Sequence, residues 1–277
     1  MTTTTTETFT APLLLEDQSQ GSRLGWAIAD IITMAKRNIL AVLRTPEALF
    51  FTTLQPIMFV LLFTYVFGGA IHVPGGHYIN FLMPGVFVQT VIFGAMSSSA
   101  GLAEDLHKGI IERFRALPMS RSAVLAGRTT SDLVRNFFVM ILITIVGFAV
   151  GFRIGTNFGL FCCGVLVILF FAYALSWGFA YIGLSAPNAE TAQVMVFPLI
   201  FPLLFASSAF VPVASMPGWL QVFAEHQPVT QVVDASRSLM VGGPLHDPGA
   251  VWAALLWTVG LLVVLAPVAV RKYRKVA

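Results

Sequence analysis

Six long apolar stretches constrain this chain more than any other feature of its sequence. A helix that crosses the hydrocarbon core of a bilayer needs roughly 20 mainly apolar residues. In a chain that is 57% hydrophobic and only 10% charged, stretches of this length cannot all be covered by polar surface. We therefore predict an all-α integral membrane protein with six transmembrane helices, at about 48–69, 82–103, 134–152, 158–184, 193–213 and 250–270.

The positions of the basic residues predict the orientation of these helices. Of the 16 lysine and arginine residues, all but Arg153 and Arg237 lie before the first stretch, between the second and third, or after the sixth. Cytoplasmic segments of membrane proteins are enriched in Lys and Arg. We therefore predict a multi-pass protein of the bacterial plasma (inner) membrane with both termini cytoplasmic. The same distribution argues against a nucleic-acid-binding protein, because the basic residues are divided among membrane-flanking segments.

The segments outside the apolar stretches predict three further parts. Residues 1–22 are rich in threonine and then polar, and we expect a disordered cytoplasmic tail. Residues 23–45 place apolar and basic side chains on opposite helical faces, which predicts an amphipathic interface helix ahead of the six-helix domain at 46–277. Before the last span, Trp219–Phe223 and Val229–Met240 are too short to cross and are broken by prolines. They predict short extracytoplasmic helices that are either re-entrant or lie at the outer surface.

A second amphipathic pattern lies in the basic loop between the second and third spans. Leu106, Ile110, Phe114 and Leu117 recur at helical spacing, while the opposite face carries charges of both signs. Pro118 ends the pattern, since proline disfavours helix in the residue before it. Such a helix can lie against the membrane domain with one face and offer charges to a soluble partner with the other. The alternative is a solvated loop helix that contacts nothing.

The residues of this loop carry a family resemblance. Glu104, then Gly109-Ile-Ile-Glu-Arg-Phe-Arg-Ala-Leu-Pro-Met-Ser-Arg, then Leu125-Ala-Gly-Arg, resembles the signature of the ABC-2 type permeases, especially the daunorubicin-resistance (DrrB-like) exporters of actinobacteria. The stretch Glu225-His-Gln-Pro-Val-Thr, continuing to Ala235-Ser-Arg and Gly242-Gly-Pro, is similar to the family's sequence before its last span. Most members have Asn at the position of Gln227. The resemblance covers residues 23–270.

The resemblance implies the permease subunit of an ATP-binding-cassette exporter for an amphipathic or hydrophobic drug, antibiotic or lipid. Such permeases pair as homodimers or heterodimers and bind two copies of a cytoplasmic ATPase subunit. The helix at 105–117 would be the coupling helix, the helix at 24–44 the interface helix, and the short link around Glu190 a further contact. The residues implied at the ATPase interface are Arg37, Asp105, Lys108, Gly109, Glu112, Arg113, Phe114, Arg115, Leu117, Pro118 and Glu190.

The chain contains no Gly-x-x-x-x-Gly-Lys-Ser/Thr sequence, the loop that cradles nucleotide phosphates. We therefore predict a transport subunit that is not itself an enzyme and binds no cofactor, with ATP and Mg bound by the partner ATPase. The histidines lack the close pairing that zinc motifs favour, so no metal site is predicted.

Uncharged polar side chains lie within or at the ends of the predicted spans. A buried amide is costly unless it is hydrogen bonded, so each of these side chains faces either protein or a water-filled path. A substrate pathway and hydrogen bonding between helices both stay open, and the candidates for the pathway are Gln55, Gln89, Ser97, Asn136 and Ser207. The centres of the spans carry no charge, which disfavours an ion-coupled secondary carrier. An exporter of lipid-linked glycan or another cell-envelope component is the other alternative.

A charged stripe begins at the cytoplasmic end of the third span. Arg128, Asp132 and Arg135 recur at i, i+4 and i+7, which puts them on one helical face. The stripe is interpreted either as a row of ion pairs that stabilises the helix or as a surface that contacts the ATPase or lipid headgroups.

Overall fold

A computed structural model of the chain describes residues 46–73, 77–108 and 121–276. The predicted tail at 1–22 and the predicted interface helix at 23–45 lie outside these residues. Throughout the described ranges the regular structure is helical, without strands. The predicted all-α class is therefore confirmed.

Eight α-helices follow one another in the described ranges. They are α1 Pro46–Leu62, α2 Tyr78–His107, α3 Arg121–Val150, α4 Phe158–Gly183, α5 Ala189–Phe205, α6 Gly218–His226, α7 Pro228–Met240 and α8 Ala250–Val276. A π-helical segment, Phe63–Phe67, extends α1, and short 3₁₀ helices occur at Val213–Ser215 and Gly243–Leu245.

Four of these helices, α2, α3, α4 and α8, are long and apolar enough to cross a membrane. Two more stretches, Thr53–Phe67 and Ala189–Phe205, are apolar but shorter. These six helices coincide with the six apolar stretches of the sequence. The multi-pass membrane architecture is thus supported, while the count of six spans stays a prediction.

The second helix, α2, is the centre of the bundle. In its most apolar 18-residue window, 83% of the residues are buried, against 17% for α8. Helices α1, α3, α4, α5 and α7 all pack against α2. A helix that is apolar on every face is buried inside a larger structure, and α2 satisfies that rule with fully buried Leu82, Met83, Val86, Phe87 and Val88.

Contacts at the two ends of the bundle establish which helix ends lie together. At one end, Leu102 of α2, Leu184 after α4 and Tyr273 of α8 form one buried cluster. At the other end, the Tyr78 hydroxyl donates to the Phe210 carbonyl over 2.8 Å. We call the first the basic end, because the last turns of α8 there carry Arg271, Lys272, Arg274 and Lys275. The second is called the opposite end.

The two short helices predicted before the last span are present as α6 and α7. Buried side chains line α7 along its whole length, including Val229, Val232 and Met240, and it packs against α2, α4 and α8. In contrast, Trp219 of α6 is 77% exposed. Gly242, at φ +63°, follows α7 in a left-handed conformation that glycine adopts readily. Of the two predicted arrangements, insertion among the long helices therefore describes α7.

The fifth apolar stretch ends earlier than predicted. The sequence predicts a span to 213, but α5 ends at Phe205. The Gln227 amide donates to the carbonyls of Leu203 (2.7 Å) and Ala206 (2.9 Å), and so satisfies groups that a helix C-terminus leaves without partners. A side chain distant in sequence thus caps the helix, which the local apolar pattern cannot reveal.

The close approach of another backbone segment to α2 provides a test of the fold. A Cβ added at Gly85 would overlap the Ala209 backbone, whereas Gly260 of α8 has open space around it. Gly85→Ala should lower the free energy of unfolding by about 1–3 kcal/mol, the usual cost of overpacking. Gly260→Ala should leave it nearly unchanged. Thermal melting of the detergent-purified variants checks this, and equal melting temperatures would contradict the packing.

Candidate functional site

A polar cleft of about 180 Å³ lies between α1, α2 and α5. It contains Gln55, Gln89 and Ser97, three of the five side chains predicted for a substrate pathway. None of the side chains that line it is ionisable: Gln55, Pro56, Gln89, Thr90, Phe93, Gly94, Met96, Ser97 and Gln193. No group of three or more potential metal ligands occurs within the described part of the chain.

The buried amide of Gln89 is the most unusual group in this cleft. Gln89 is only 2% exposed, and its Oε1 atom accepts no hydrogen bond from the described residues. The neighbouring hydroxyls bond within α2, Thr90 to the Val86 carbonyl and Ser97 to the Gly94 carbonyl, both over 2.7 Å. Leaving a buried acceptor unpaired costs about 1–3 kcal/mol. A donor on a molecule that enters the cleft would remove that cost.

Gln193 belongs to the cleft but is missing from the sequence-based candidates. It lies in the second turn of α5, three residues after Glu190. Residue 193 is also where the fifth apolar stretch begins, so the sequence marks it only as a boundary. Its side-chain amide, the same group as in Gln55 and Gln89, is the signal that could have identified it.

Two predicted pathway residues lie elsewhere. Asn136 of α3 lies against the backbone of Gly94, where an added Cβ would overlap the Asn136 amide. The Ser207 hydroxyl accepts from the Ala209 amide over 3.1 Å, in the turn after α5. The structure does not bring these two residues to the cleft, so their assignment to a substrate pathway stays a prediction.

A row of six aromatic rings leads from the cleft to the opposite end of the bundle. Neighbouring ring centroids are 4.3–6.4 Å apart, within the usual range for aromatic pairs. On α5 the rings recur every four residues and are 40–47% exposed, so the row is open along one side. In order from the cleft, its members are Phe93, Phe197, Phe201, Phe205, Phe210 and Phe63. Together, the uncharged polar cleft and the aromatic row suit an amphipathic ligand.

A buried arginine joins three elements at the opposite end. Arg237 of α7 is 4% exposed and donates to Asp234 Oδ1 (2.6 Å), the Ser208 carbonyl (2.7 Å) and, from two nitrogens, the Phe81 carbonyl (3.1 Å each). Its guanidinium carbon lies 3.7 Å from the centroid of the Phe81 ring. The sequence places Arg237 outside the spans but does not reveal these contacts, because most of its partners come from α2 and the turn after α5.

At the basic end, the predicted coupling helix needs a correction. It was expected to begin at residue 105, but α2 continues through His107. Asp105 bonds to Arg128 of α3 over 2.6 Å, so its carboxylate is directed at α3. Lys108 is exposed and pairs with Glu104, whose hydrogen bond raises the pKa of the Lys108 ammonium. Seven predicted contacts of this loop and Arg37 lie outside the described residues: Gly109, Glu112, Arg113, Phe114, Arg115, Leu117 and Pro118.

The remaining predicted contact, Glu190, is exposed in the first turn of α5. Asn188 caps that helix by accepting from the Thr191 amide over 2.8 Å. The carboxylate of Glu190 is therefore at a helix N-terminus, where negative charge is favourable, and it stays accessible from the basic end.

Removal of the Arg237 side chain tests how much its contacts stabilise the opposite end. Arg237→Met leaves Asp234 and two buried carbonyls without their donor, and breaking a buried ion pair costs about 3–5 kcal/mol. Asp234→Asn keeps an acceptor oxygen but removes the charge that neutralises the buried Arg237 guanidinium, so it should also lower the stability. Both variants should melt below the wild type in detergent, and an Arg237→Met protein as stable as the wild type would contradict a stabilising role of these contacts.

Comparison with known proteins agrees with the membrane architecture. The profile of the family described as ABC-2 type transporter matches residues 29–241. The daunorubicin resistance ABC transporter permease protein DrrB1 of Streptomyces coeruleorubidus is 35% identical over 249 residues, which cover 90% of this chain and 87% of the relative. The probable doxorubicin resistance ABC transporter permease protein DrrC of Mycobacterium tuberculosis is 27% identical, covering 99% and 98%.

A third relative is similar over a smaller share of the chain. The putative transport permease ycf38 of Cyanophora paradoxa is 27% identical over 234 residues, 82% of this chain and 79% of the relative. The profile match spans α1 to α7 and therefore includes the cleft, the aromatic row and the Arg237 cluster. This multi-pass membrane protein belongs to the ABC-2 type transporter family, as a permease.

Proposed function

We propose that this chain exports an amphipathic drug-like molecule through the cleft and along the aromatic row, driven by a separate ATPase. The observation that carries this proposal is the unpaired, buried Gln89 acceptor in an uncharged cleft from which six aromatic rings lead to the opposite end. The names of two relatives refer to daunorubicin and doxorubicin resistance. They favour a drug over a lipid-linked glycan as cargo.

In this proposal each part of the route handles a different part of the cargo. A hydroxyl or ammonium group of the cargo donates to Gln89, which relieves the cost of the unpaired amide. The apolar body of the cargo leaves along Phe197, Phe201 and Phe205 by stacking on successive rings. No ionisable side chain lines the cleft, so release does not require a buried ion pair to be broken.

The energy source in this proposal is an ATPase bound at the basic end, which we take to be cytoplasmic. The sequence has no phosphate-binding loop of its own, so ATP and Mg would be held by two copies of the partner. Its docking surface would comprise Arg37, Lys108, Glu190 and the loop residues Gly109, Glu112, Arg113, Phe114, Arg115, Leu117 and Pro118. Asp105 would contribute indirectly, through its bond to Arg128.

A second permease chain, identical or not, would complete the cleft. Gln55 and Gln193 are both exposed, and so are the large apolar side chains Met58 of α1 and Val194 of α5. Partner helices against these faces would cover the open side of the route. We also propose that α1 and α5 cross the membrane, which gives six spans. The 17 residues of α5 extend about 26 Å, close to the hydrocarbon thickness of about 30 Å.

Loss of the Gln89 acceptor tests the route. Gln89→Leu should reduce ATP-driven uptake of daunorubicin into inside-out vesicles at low drug concentration roughly tenfold, since one lost hydrogen bond to a buried group is worth about 1–3 kcal/mol. Gln221→Leu, in exposed α6, is the matched control. The apparent KM should rise for Gln89→Leu alone. Equal uptake by both variants would show that Gln89 does not contact the cargo.

Substitutions in the loop between α2 and α3 test whether a bound ATPase drives transport. Glu112→Lys, Arg115→Glu and Phe114→Ala should each uncouple ATP hydrolysis from transport while the protein stays folded and inserted, because the loop's charges and apolar face would contact the ATPase. Arg153→Glu, at the opposite end, should not. The measurement is drug transported per ATP hydrolysed after reconstitution with the ATPase of the neighbouring gene. A native complex without an ATP-binding subunit would refute the proposed function itself.

A further inference from the structure

The carbonyl of Gly94 joins the cleft to α3. Gly94 and Ser97 both line the cleft, and the Ser97 hydroxyl donates to the Gly94 carbonyl over 2.7 Å. The guanidinium of Arg135, on α3, donates to the same carbonyl. The cleft wall and the third helix therefore share one acceptor, on a segment of α2 that lies within the membrane-spanning part.

Charged and polar groups continue this connection toward the basic end. Arg135 pairs with Asp132 over 3.2 Å, and Asp132 accepts a hydrogen bond from Ser98 of α2. Farther along, Arg128 pairs with Asp105 over 2.6 Å. Asp132 is 7% exposed and Ser98 1% exposed, whereas the side chains of Arg135, Arg128 and Asp105 are 15–26% exposed. From Asp105 to Gly94, the contacts extend about 16 Å along α2. We call the set Gly94, Ser98, Asp105, Arg128, Asp132 and Arg135 the polar ladder.

Two glycines of α2 allow polar side chains of α3 to approach it closely. A Cβ at Gly94 would overlap the Asn136 amide, and one at Gly101 would overlap the Arg128 guanidinium. The polar side chains of α3 thus occupy the volume that side chains of α2 would otherwise fill. Sliding α3 along α2 would break the Asp105–Arg128 ion pair, the Ser98–Asp132 hydrogen bond and the bond of Arg135 to the Gly94 carbonyl, which is unfavourable because Ser98 and Asp132 are buried. The two helices are therefore held at one register.

The ladder ends where the loop begins. Asp105 lies near the C-terminus of α2 and Arg128 near the N-terminus of α3, so their ion pair joins the two helices that flank residues 109–120. A displacement of one of these helices at this end would therefore be passed to the other through the ion pair. The other helices that line the cleft, α1 and α5, contribute no member of the ladder.

We propose that α2 and α3 move as one lever, and that Ser98, Asp132 and Arg135 are positioning residues that carry movement of the loop to the cleft wall at Gly94. This inference rests on the proposed ATP-driven export. A ladder that only stabilises the fold is the competing explanation. In that case weakening it would reduce the amount of folded protein but not the transport obtained per ATP.

Two buried serines provide a matched comparison. Ser98 bonds across to α3, whereas Ser176 of α4, also 1% exposed, bonds to the Ala172 carbonyl of its own helix over 2.9 Å. In vesicles that contain the permease and its ATPase, Ser98→Ala and Arg135→Gln should reduce daunorubicin transported per ATP hydrolysed roughly fivefold or more, the lower end of typical coupling effects. Ser176→Ala should leave the ratio unchanged. Arg135→Lys, which keeps a cationic donor for the Gly94 carbonyl, should restore much of it.

Three further measurements separate the explanations. Drug binding without ATP, copurification of the ATPase and the melting temperature should stay close to wild type in Ser98→Ala. A wild-type transport ratio in folded Ser98→Ala and Arg135→Gln would overturn the lever, as would an equal loss in Ser176→Ala. Absence of ATP-driven transport by the wild type would instead overturn the proposed function, and the lever with it.

Discussion

Burial of α2 on all sides is the constraint on which the rest of the structure depends. Its neighbours approach so closely that Gly85 meets the backbone of Ala209, and Gly183 of α4 meets the backbone of Ser99. At such contacts every polar group on α2 must find a partner within the protein, because neither water nor lipid reaches it. Ser98 and Ser99 do so, through Asp132 and the Met96 carbonyl. The Gln89 acceptor has no partner among the described residues, and it lines the cleft.

Charged side chains have different partners at the two ends of the bundle. At the opposite end, Arg237 is neutralised by Asp234 and held by carbonyls of α2 and the turn after α5, which fastens a helix too short to cross the membrane. At the basic end, the charges form a row between α2 and α3 that reaches toward the cleft. The first arrangement ties several elements to one another. The second ties one pair of helices along its length.

Local patterns predicted those parts of the structure whose causes are local. Apolar length predicted the six helices, and Pro217, Pro228 and Gly242 predicted where α6 and α7 begin and end. The polarity of Gln55, Gln89 and Ser97 predicted three residues of the cleft. What depends on distant partners was not predictable. The cap of α5 by Gln227, the aromatic row and the partners of Arg237 all join residues far apart in sequence. The stripe at Arg128, Asp132 and Arg135 was recognised, but only the contact with α2 distinguishes ion pairing from an exposed docking surface.

The distribution of these contacts also indicates which end of the cleft can open. At the opposite end, α5 is fastened by Gln227, and the following turn by Tyr78 and Arg237. At the basic end, the contact of α5 with α2 is made by small side chains, Ala192 against Ala103, which carry little area and no charge. Separating α3 from α2 would break the Asp105–Arg128 ion pair and the bonds of Ser98 to Asp132 and of Arg135 to the Gly94 carbonyl. It therefore costs more than separating α5 from α2 at this end. If α2 and α3 move together as proposed, the small contact at the basic end would separate before the Gln227 cap and the contacts of Tyr78 and Arg237 at the opposite end.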